Sequence, residues 1–579
     1  MKRILKYMKG YRLVAVLGSL IKWMEALFEL LVPLVVARLI DNAIPAGKSG
    51  DTSGIWQECA ILAVLGVVGF SCSLIAQYFS AKAATGFSAK LRSVMFEHTQ
   101  SLSYSTLDRL GNATVISRLT GDLALVQNGV NMFLRLFLRS PFVVFGAMAM
   151  AFIVDVKASL VFLAAIPLLF IAVAVIMRLT VPGYRNVQNK SDSLYHTVGE
   201  NITGVRVIRA FGMEDDERRR FDEESRTLAG FQIAANKISA LMNPVTFVII
   251  NVAMLILIRS GAVRVNIGGL TQGEVIALVN YMSQILVELI KLANLIITVT
   301  KALAAGGRIA DFLDTPTEAD DLPVRACENA AAGDFAVVFD DVSFTYPDAS
   351  SPSLENISFS MKRGETLGII GPTGSGKTTL VNLIPRFYDA TEGNIAVSGK
   401  AIDTIPLKEL RRMVGIAEQR SAVFSGTVRE NLSLGGDVAE DTITKAVSVV
   451  QAADFIEKRE GGLDAELTRG GKNLSGGQRQ RLNIARALAK SPEILILDDS
   501  SSALDFATDA ALREALAELD GMSVIIISQR AASVRHADNI LVLDDGEMAG
   551  IGKFDQLLTS CPVFAEICKS QGIEGGVSL

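Results

Sequence analysis

The sequence has few of the residues that build metal centres and disulfide frameworks. Its 579 residues include five cysteines, three histidines and two tryptophans. No two cysteines form a CxxC pair and the histidines are scattered, so a zinc site, a histidine metal cluster and a disulfide framework are all disfavoured. The cysteines are therefore interpreted as free thiols in a reducing compartment.

The chain also lacks an excess of positive charge. Its formal net charge is −5 at pH 7, which argues against general nucleic-acid binding, because that binding depends on clustered lysine and arginine. Half of the residues are hydrophobic and the mean hydropathy is +0.36, a high value for a soluble protein. The expected partner is therefore a lipid bilayer and not a nucleic acid.

Long apolar runs are concentrated in the first half of the chain, before the region around residue 300. Their lengths match the hydrocarbon core of a bilayer. The prediction is six membrane helices, at 13–37, 60–76, 133–154, 160–177, 238–258 and 275–300. The short basic segment at 1–9 is interpreted as an amphipathic segment on the inner membrane surface rather than a signal peptide.

The connections between these runs predict their orientation. Arginine and lysine are frequent after the second and fourth helices, whereas the loops at 41–54, 155–157 and 259–274 are short and contain few of them. Basic loops stay in the cytoplasm, which places both termini inside the cell in a multi-pass protein of the cytoplasmic membrane. Both basic connections repeat apolar residues at helical spacing, with breaks expected at 108–112 and 203–204.

Several charged residues fall within the predicted membrane helices: Lys22, Glu25, Glu29, Arg135, Arg139, Glu288 and Lys291. The first three are spaced at i, i+3 and i+7, so they share one helix face. A polar patch in a substrate pathway and local ion pairs at subunit contacts both account for such charges, and ion pairs are favoured. The two arginines are interpreted as lying at the cytoplasmic end of the third helix, with no special role.

The last third of the chain contains a phosphate-binding loop. The sequence GPTGSGKT at 371–378 follows a strand-like run at 366–370. Glycines let backbone N–H groups curl around phosphate oxygens at the start of a helix. Lys377 supplies a positive charge to the β and γ phosphates, Thr378 supplies a hydroxyl for Mg²⁺, and Asp498 follows a second apolar strand and binds that metal.

Three further patterns accompany this loop. The sequence LSGGQ at 474–478 is predicted to open a helix whose N-terminal amides favour an anion. Gln419 precedes the run VFSGTVREN at 423–431. Residues 335–346 alternate like a β-hairpin and end in Tyr346, directly before a proline.

Together these motifs resemble the nucleotide-binding domain of an ATP-binding-cassette (ABC) transporter. The helical cytoplasmic connections resemble the coupling-helix regions of type IV ABC exporters. The resemblance implies a six-helix, all-α transmembrane domain over 1–314 with two coupling loops, a linker over 315–334, and an α/β P-loop ATPase domain over 335–579.

The resemblance also implies roles for individual residues. Tyr346 would stack on the adenine of ATP. The residues expected to bind ATP and Mg²⁺ in this chain are Gly371, Thr373, Gly374, Ser375, Gly376, Lys377, Thr378, Thr379 and Asp498, with Thr378, Gln419 and Asp498 as metal ligands. The residues expected to contact ATP on a second chain are Ser475, Gly476, Gly477 and Gln478. A chain with one ATPase domain would therefore be a half-transporter that must dimerise.

Two catalytic positions depart from the family pattern. Asp499 stands where the family has a glutamate that polarises the attacking water, and its carboxylate is one methylene shorter. Gln529 stands where the family has a histidine that senses the γ-phosphate, and glutamine cannot carry the imidazolium charge. Both changes occur beside an intact LSGGQ motif, which favours a degenerate ATP site over neutral drift.

The sequence therefore predicts one subunit of a heterodimeric, multidrug-type exporter. Its partner would be a second ABC half-transporter with Glu and His at the catalytic positions, and the substrate would be a small amphipathic compound. Alternatives are an exporter-fold importer of a siderophore-like ligand and a lipid or peptide translocator. A regulatory ATPase or channel is less favoured, because the chain has six predicted spans and paired coupling segments.

Overall fold

A computed structural model describes residues 3–48, 51–322, 334–347, 349–434, 436–500, 504–519 and 521–573. The chain divides into two compact units. The first contains Met1–Thr99 and Ala113–Asp314, and the second contains Gln100–Asn112 and Thr315–Leu579. Much of the linker predicted over 315–334 lies outside the described residues, and the described part of it includes a short helix.

The first unit and the segments next to it are helical throughout their described length. Its elements are α1 (Arg12–Arg38), α2 (Ile44–Lys48), α3 (Ser53–Gln100), α4 (Tyr104–Leu110), α5 (Asn112–Ser117), α6 (Leu123–Leu136), α7 (Arg139–Val154), α8 (Val156–Ala210), α9 (Glu214–Ala240), α10 (Met242–Asn266), α11 (Gln272–Leu313) and α12 (Glu318–Asp321). Of these, α4 and α12 belong to the second unit. Single π-helical turns occur at Leu39–Ala43 and Arg118–Asp122.

Five stretches of the described helices are long and apolar enough to cross a membrane. They correspond to the last five predicted spans. The first predicted span is the 27-residue helix α1, but it contains Lys22, Glu25 and Glu29 and is not among the five. The predicted count of six is therefore not confirmed.

The long helical connections agree with the prediction, but one predicted break is wrong. Helix α8 continues through Thr203 and Gly204 and ends at Ala210. The chain turns instead at Gly212, whose φ of +64° is in the left-handed region. A lone glycine costs a helix only about 1 kcal/mol. Four acidic residues at 214–217 then favour the start of α9.

A buried ionic network connects three helices of the first unit. Arg139 of α7 donates to Glu288 of α11 and to Glu29 of α1, each at 2.5 Å. Ser140 adds a bond of 2.7 Å to the second oxygen of Glu288. Only 7% of the Arg139 side chain and 2% of the Glu288 side chain are exposed. The expectation that Arg139 has no special role is wrong, since its side chain links α1, α7 and α11.

The second unit is an α/β domain with two main sheets. Its strands are β1 (Phe335–Phe344), β2 (Leu354–Lys362), β3 (Thr366–Ile370), β4 (Glu392–Val397), β5 (Lys400–Ala401), β6 (Val414–Ala417), β7 (Gly426–Thr427), β8 (Glu466–Leu467), β9 (Ile494–Asp498), β10 (Ser523–Ile527), β11 (Asn539–Asp544) and β12 (Glu547–Gly552). An antiparallel sheet has the order β2-β1-β4-β5, and a six-stranded sheet has the order β12-β11-β3-β10-β9-β6. The larger sheet is parallel except at its β12 edge.

The helices of this domain cover the sheets. They are α13 (Lys377–Leu383), α14 (Leu407–Met413), α15 (Val428–Leu432), α16 (Glu440–Val449), α17 (Ala453–Glu457), α18 (Gly476–Leu488), α19 (Phe506–Ala517), α20 (Ala531–Val534), α21 (Phe554–Ser560) and α22 (Pro562–Ser570). One apolar core lies between the two main sheets, and a second surrounds α15 to α18.

The hairpin expected within 335–346 is instead one continuous strand. β1 pairs with β2, and the two acidic residues in its middle form an irregularity between Phe339 and Val342. Asp341 has a φ of +51° there, a conformation that aspartate tolerates better than most residues. The polar pair therefore marks a bulge in β1, and the hairpin turn comes after Phe344.

The ionic network yields a stability prediction. Replacing Arg139 by Met would leave the buried carboxylate of Glu288 poorly compensated, at a cost of about 3–5 kcal/mol. The double variant Arg139→Met/Glu288→Met should recover most of that loss. Thermal unfolding of the detergent-solubilised protein measures both. The matched control is Arg219→Met, because the side chains of the Arg219–Asp216 pair are 75% and 59% exposed and such a pair is worth about 0–1 kcal/mol. Equal losses from the two single variants would contradict a stabilising role for the network.

Candidate nucleotide-binding site

Three parallel strands end at the same edge of the larger sheet. In the order β3-β10-β9, Ile369 is paired with Ile527, and Ile527 is paired with Asp498. The 371–378 loop follows β3, Gln529 follows β10, and Asp499 follows β9. Because the carboxyl ends of parallel strands meet at one edge, residues separated by more than a hundred positions are brought together.

The 371–378 loop has the backbone conformation that its glycines allow. Gly374 and Gly376 have φ values of +89° and +91°, and Gly376 precedes helix α13. A Cβ atom on Gly371 would lie 2.1 Å from the carbonyl oxygen of Leu543. Side chains at these positions would strain the loop or collide with β11, so the glycines are needed for its shape.

The ammonium group of Lys377 lies inside this loop. Its Nζ donates to the carbonyl oxygens of Gly371 at 2.9 Å and Pro372 at 2.6 Å, and to the hydroxyl of Ser375 at 3.2 Å. Burial lowers the pKa of Lys377, although the negative charge of Asp498 opposes that shift. A buried ammonium group inside a loop whose backbone can surround a phosphate is suited to an anionic ligand.

Thr378 and Asp498 form the polar centre of the site. The Thr378 hydroxyl donates to the carboxylate of Asp498, with distances of 3.0 and 3.2 Å to its two oxygens. Burial raises the pKa of Asp498, and the Thr378 hydrogen bond opposes that rise. A hydroxyl and a carboxylate are hard oxygen ligands of the kind that Mg²⁺ prefers, so these two residues fit the metal implied by the fold.

A cavity of about 360 Å³ opens beside these groups, a volume within the usual range for ligand pockets. Ten predicted site residues line it: Thr373, Gly374, Gly376, Lys377, Thr378, Thr379, Gln419, Asp498, Asp499 and Gln529. Gly371 and Ser375 are buried in the loop and are not part of the lining. Five lining residues were not predicted, namely Pro352, Ser353, Ile527, Asp545 and Gly546, because only the folded sheet brings them to this edge.

The two altered catalytic positions both lie in this cavity. Gln419 Nε2 donates to Asp499 Oδ2 at 3.3 Å. Asp499 has a φ of +45°, and its backbone N–H donates to the carbonyl oxygen of Ile527 at 3.1 Å. Gln529 is exposed. The acid expected to orient water and the residue expected to sense the γ-phosphate are therefore next to the phosphate-binding loop.

Tyr346 is not one of the residues that line the cavity, but it contacts the lining residue Thr379. Its hydroxyl is 3.2 Å from Thr379 Oγ1, and its half-buried ring makes an edge contact with Tyr388 at a centroid distance of 5.3 Å. This placement suits an aromatic ring that stacks on a nucleobase while the phosphates enter the loop.

The LSGGQ motif lies elsewhere in the same domain. Ser475 is the N-cap of α18, with reciprocal bonds of 3.3 and 3.0 Å to Gln478. Ser475 and Gly476 are exposed, and Gly477 is half-buried. Within the part of the chain that the structure describes, no residue of 474–478 lines the cavity. The helix start is therefore open to a ligand that its own phosphate-binding loop does not bind.

Sequence reasoning missed a contact between the aromatic pair Tyr346–Tyr388 and helix α4. Tyr388, which touches Tyr346, donates its hydroxyl to Asp108 at 2.6 Å. Tyr104 stacks on Phe387 at a centroid distance of 4.5 Å. Burial and the nearby Asp108 raise the pKa of Tyr388, so its hydroxyl remains a donor. The partners are 280 residues apart in sequence, and no local pattern predicts their pairing.

Two family models match the chain. The model described as the ABC transporter transmembrane region matches residues 16–289, and the model described as ABC transporter matches residues 354–502. The "Uncharacterized ABC transporter ATP-binding protein YfiB" of Bacillus subtilis is 34% identical over the whole length of both chains.

Two further proteins extend the likeness. The "Putative multidrug export ATP-binding/permease protein YgaD" of Bacillus subtilis is 30% identical over 96% of this chain and 97% of its own. A solved structure of a bacterial Atm1-family ABC exporter with ATP bound has a TM-score of 0.80 at 23% identity, covering 98% of this chain and 99% of that chain. At this identity the structural likeness concerns the fold.

The Asp498 carboxylate is expected to lower the stability of the nucleotide-free protein and to be required for stabilisation by MgATP. Its raised pKa means that the folded chain disfavours the ionised form. This contribution to stability therefore falls as pH rises from 3.8 through the folded pKa. Asp498→Asn should raise the unfolding temperature of the nucleotide-free protein at pH 7, while the stabilisation by MgATP is lost. Thermal unfolding with and without MgATP measures both, and an Asn variant that MgATP still stabilises fully would contradict the metal-binding role.

The Tyr388–Asp108 bond should order helix α4 (Tyr104–Leu110) without affecting nucleotide affinity. Tyr388→Phe keeps the ring beside Tyr346 and removes a bond to a carboxylate worth about 1.5–3 kcal/mol. Hydrogen exchange at Tyr104–Leu110 should therefore become about tenfold faster or more. Affinity for a fluorescent ATP analogue should change by less than about twofold. Tyr195→Phe, at a ring that is 69% exposed, is the control, and unchanged exchange in Tyr388→Phe would rule out this role.

Proposed function

This chain belongs to the ABC transporter family, and we propose that it is the degenerate-site half of a heterodimeric exporter. The family couples ATP hydrolysis to transport, so the chain is an ATP-hydrolysing membrane transporter. Its partner would be a second half-transporter with Glu and His where this chain has Asp499 and Gln529. The pair would export amphipathic or lipophilic compounds, with the ATPase domains and both termini in the cytoplasm.

One observation carries the proposal. The cavity that contains Lys377 is lined by Asp499 and Gln529, whereas the unaltered LSGGQ helix start lies outside that cavity. The altered positions therefore affect ATP bound by this chain's own loop. The unaltered motif is available to ATP on the partner, and a heterodimer would then combine one weak site with one fully equipped site.

The chemistry of position 499 supports a slow site. Aspartate is one methylene shorter than glutamate, and a displacement of about 1 Å in a catalytic group can cost on the order of 10²-fold in rate. The Asp499 carboxylate accepts a bond from Gln419, and its backbone is anchored to Ile527. Both constraints restrict how far the carboxylate can advance toward an attacking water.

The residue at position 529 also supports slow hydrolysis at this site. A histidine at this position can become imidazolium and stabilise charge on the γ-phosphate, whereas the amide of Gln529 stays neutral. Hydrogen bonding to a phosphate oxygen remains available to it. The site thus keeps the groups that bind ATP, Lys377 and Thr378 among them, and lacks full charge stabilisation for hydrolysis.

A site that binds ATP but hydrolyses it slowly would have a structural role in the dimer. ATP bound there would persist over several cycles and would keep the two ATPase domains in partial contact. Hydrolysis at the partner's loop, completed by Ser475 and Gly477 of this chain, would drive alternating access. The name of the relative YgaD, which refers to multidrug export, supports an amphipathic substrate.

Turnover by the purified heterodimer tests this assignment. Asp499→Ala should lower ATP hydrolysis by less than about twofold, because the fast site lies on the partner, whereas Glu→Gln at the partner's equivalent position should lower it by about 10²-fold or more. Lys445→Ala, on the exposed surface of α16, is a matched control. A large loss from Asp499→Ala would mean that this chain's own site is catalytic.

Direction is tested separately. ATP-dependent accumulation of a lipophilic cationic dye in inverted membrane vesicles would support export. ATP-dependent release from loaded inverted vesicles would instead support the importer alternative.

A further inference from the structure

Arg135, in the membrane half of the chain, is a cation that forms no ion pair with any other residue that the structure describes. It lies on α6, in a stretch that is apolar enough to span a membrane. Its Nε is buried and has no hydrogen-bond acceptor. No ion pair to another described residue is present. Arginine stays charged at physiological pH, and an uncompensated charge in such a segment is costly and usually marks a functional site.

The neighbouring charges do not compensate Arg135, because they already neutralise one another. Arg139 is paired with Glu29 and Glu288. The complete network contains three cations and three carboxylates: Lys22, Arg139, Lys291, Glu25, Glu29 and Glu288. Arg135, one helical turn before Arg139, therefore adds one net positive charge to this region.

Helix packing shows where that charge lies. α6 and α11 are packed against each other, with Gly129 against Ala302, and Arg139 at the start of α7 reaches Glu288. Arg135 comes between these two contacts, so along the helix axis it is level with the middle of α11. Lys291 is in that part of α11 and its side chain is 41% exposed. Lys291 is therefore at nearly the same level, but its charge is compensated by Glu288.

Unpaired amide groups occur on the same helices. Asn131 Oδ1 on α6 and Gln284 Oε1 on α11 are both buried without a hydrogen-bond partner. Asn131 is one turn from Arg135 on the same helix face. An amide has donors as well as an acceptor, so Asn131 adds hydrogen-bonding capacity next to Arg135 on the same helix.

We infer that Arg135 binds the oxyanion of an amphipathic molecule, such as a phosphate headgroup, through its guanidinium group. The guanidinium presents parallel N–H donors that match an oxyanion in bidentate geometry, and the apolar surroundings suit an alkyl tail. The inference rests on the proposed export function for the case in which the bound molecule is a substrate. A membrane phospholipid would offer the same chemistry.

Binding of dodecyl phosphate to the purified complex of full-length chain and partner tests the site, with dodecyltrimethylammonium as a probe of the same tail and opposite charge. Arg135→Gln should weaken dodecyl phosphate binding by about tenfold or more and leave the cationic probe unchanged. Arg135→Lys should retain part of the affinity. Arg226→Gln, which removes an exposed charge from α9, should have no effect.

Two results would overturn the inference. One is unchanged dodecyl phosphate affinity in Arg135→Gln, which would indicate that a carboxylate of the partner neutralises Arg135. The other is an equal loss for both probes, which would indicate a structural role. Thermal unfolding of each variant identifies loss of folding, and Arg135→Lys retains the charge if the glutamine variant is unstable.

The source of the oxyanion is decided by transport. ATP-driven accumulation of dodecyl phosphate in inverted vesicles, reduced in Arg135→Gln, would identify a transported amphiphile. Competition by phosphatidylglycerol without transport would identify a resident lipid, and both results support the site. Transport of the cationic probe reports on the export function independently, so that function and this site can fail separately.

Discussion

The parallel order β3-β10-β9 is the constraint on which the nucleotide site depends. It aligns three strand ends so that the Thr378 hydroxyl reaches the carboxylate of Asp498 at 3.0 Å, across 120 residues of sequence. Gln529 follows the strand between them and joins the same edge. The exposed start of α18 lies outside the cavity. In the proposed heterodimer, one chain would supply the loop of one site and a helix start for the other, so the altered catalytic positions would affect only the first of the two sites.

In the membrane half of the chain, paired charges serve to position helices and not to bind a nucleotide. Arg139, Glu29 and Glu288 compensate one another through bonds of 2.5 Å, so their positions specify how α1, α7 and α11 pack. Removing one member of such a network costs more than the network contributes relative to an apolar core. Arg135 is outside this arrangement. The contrast separates the charges that organise the helices from Arg135, which we infer to bind a ligand.

Sequence patterns predicted those features of the structure that depend on residues close together in the chain. The apolar runs, the phosphate-binding loop and the helix opened by LSGGQ follow from hydropathy, glycine spacing and capping chemistry. The hairpin at 335–346 was wrong because an acidic pair can form a bulge as well as a turn, and the break at Gly204 was wrong because a helix tolerates one glycine. The bonds of Tyr388 to Asp108 and of Arg139 to Glu288 join residues 280 and 149 positions apart. Only the folded chain reveals such pairs.

The central claim is that this chain's own ATP site is the slow one. Nucleotide trapping by vanadate during turnover measures it most directly, with a photoreactive, radiolabelled ATP analogue and separation of the two chains after cross-linking. The account predicts that trapped diphosphate labels the partner chain, while this chain retains mainly uncleaved triphosphate. Equal trapping of diphosphate on both chains, or rapid hydrolysis by a homodimer of this chain alone, would contradict it.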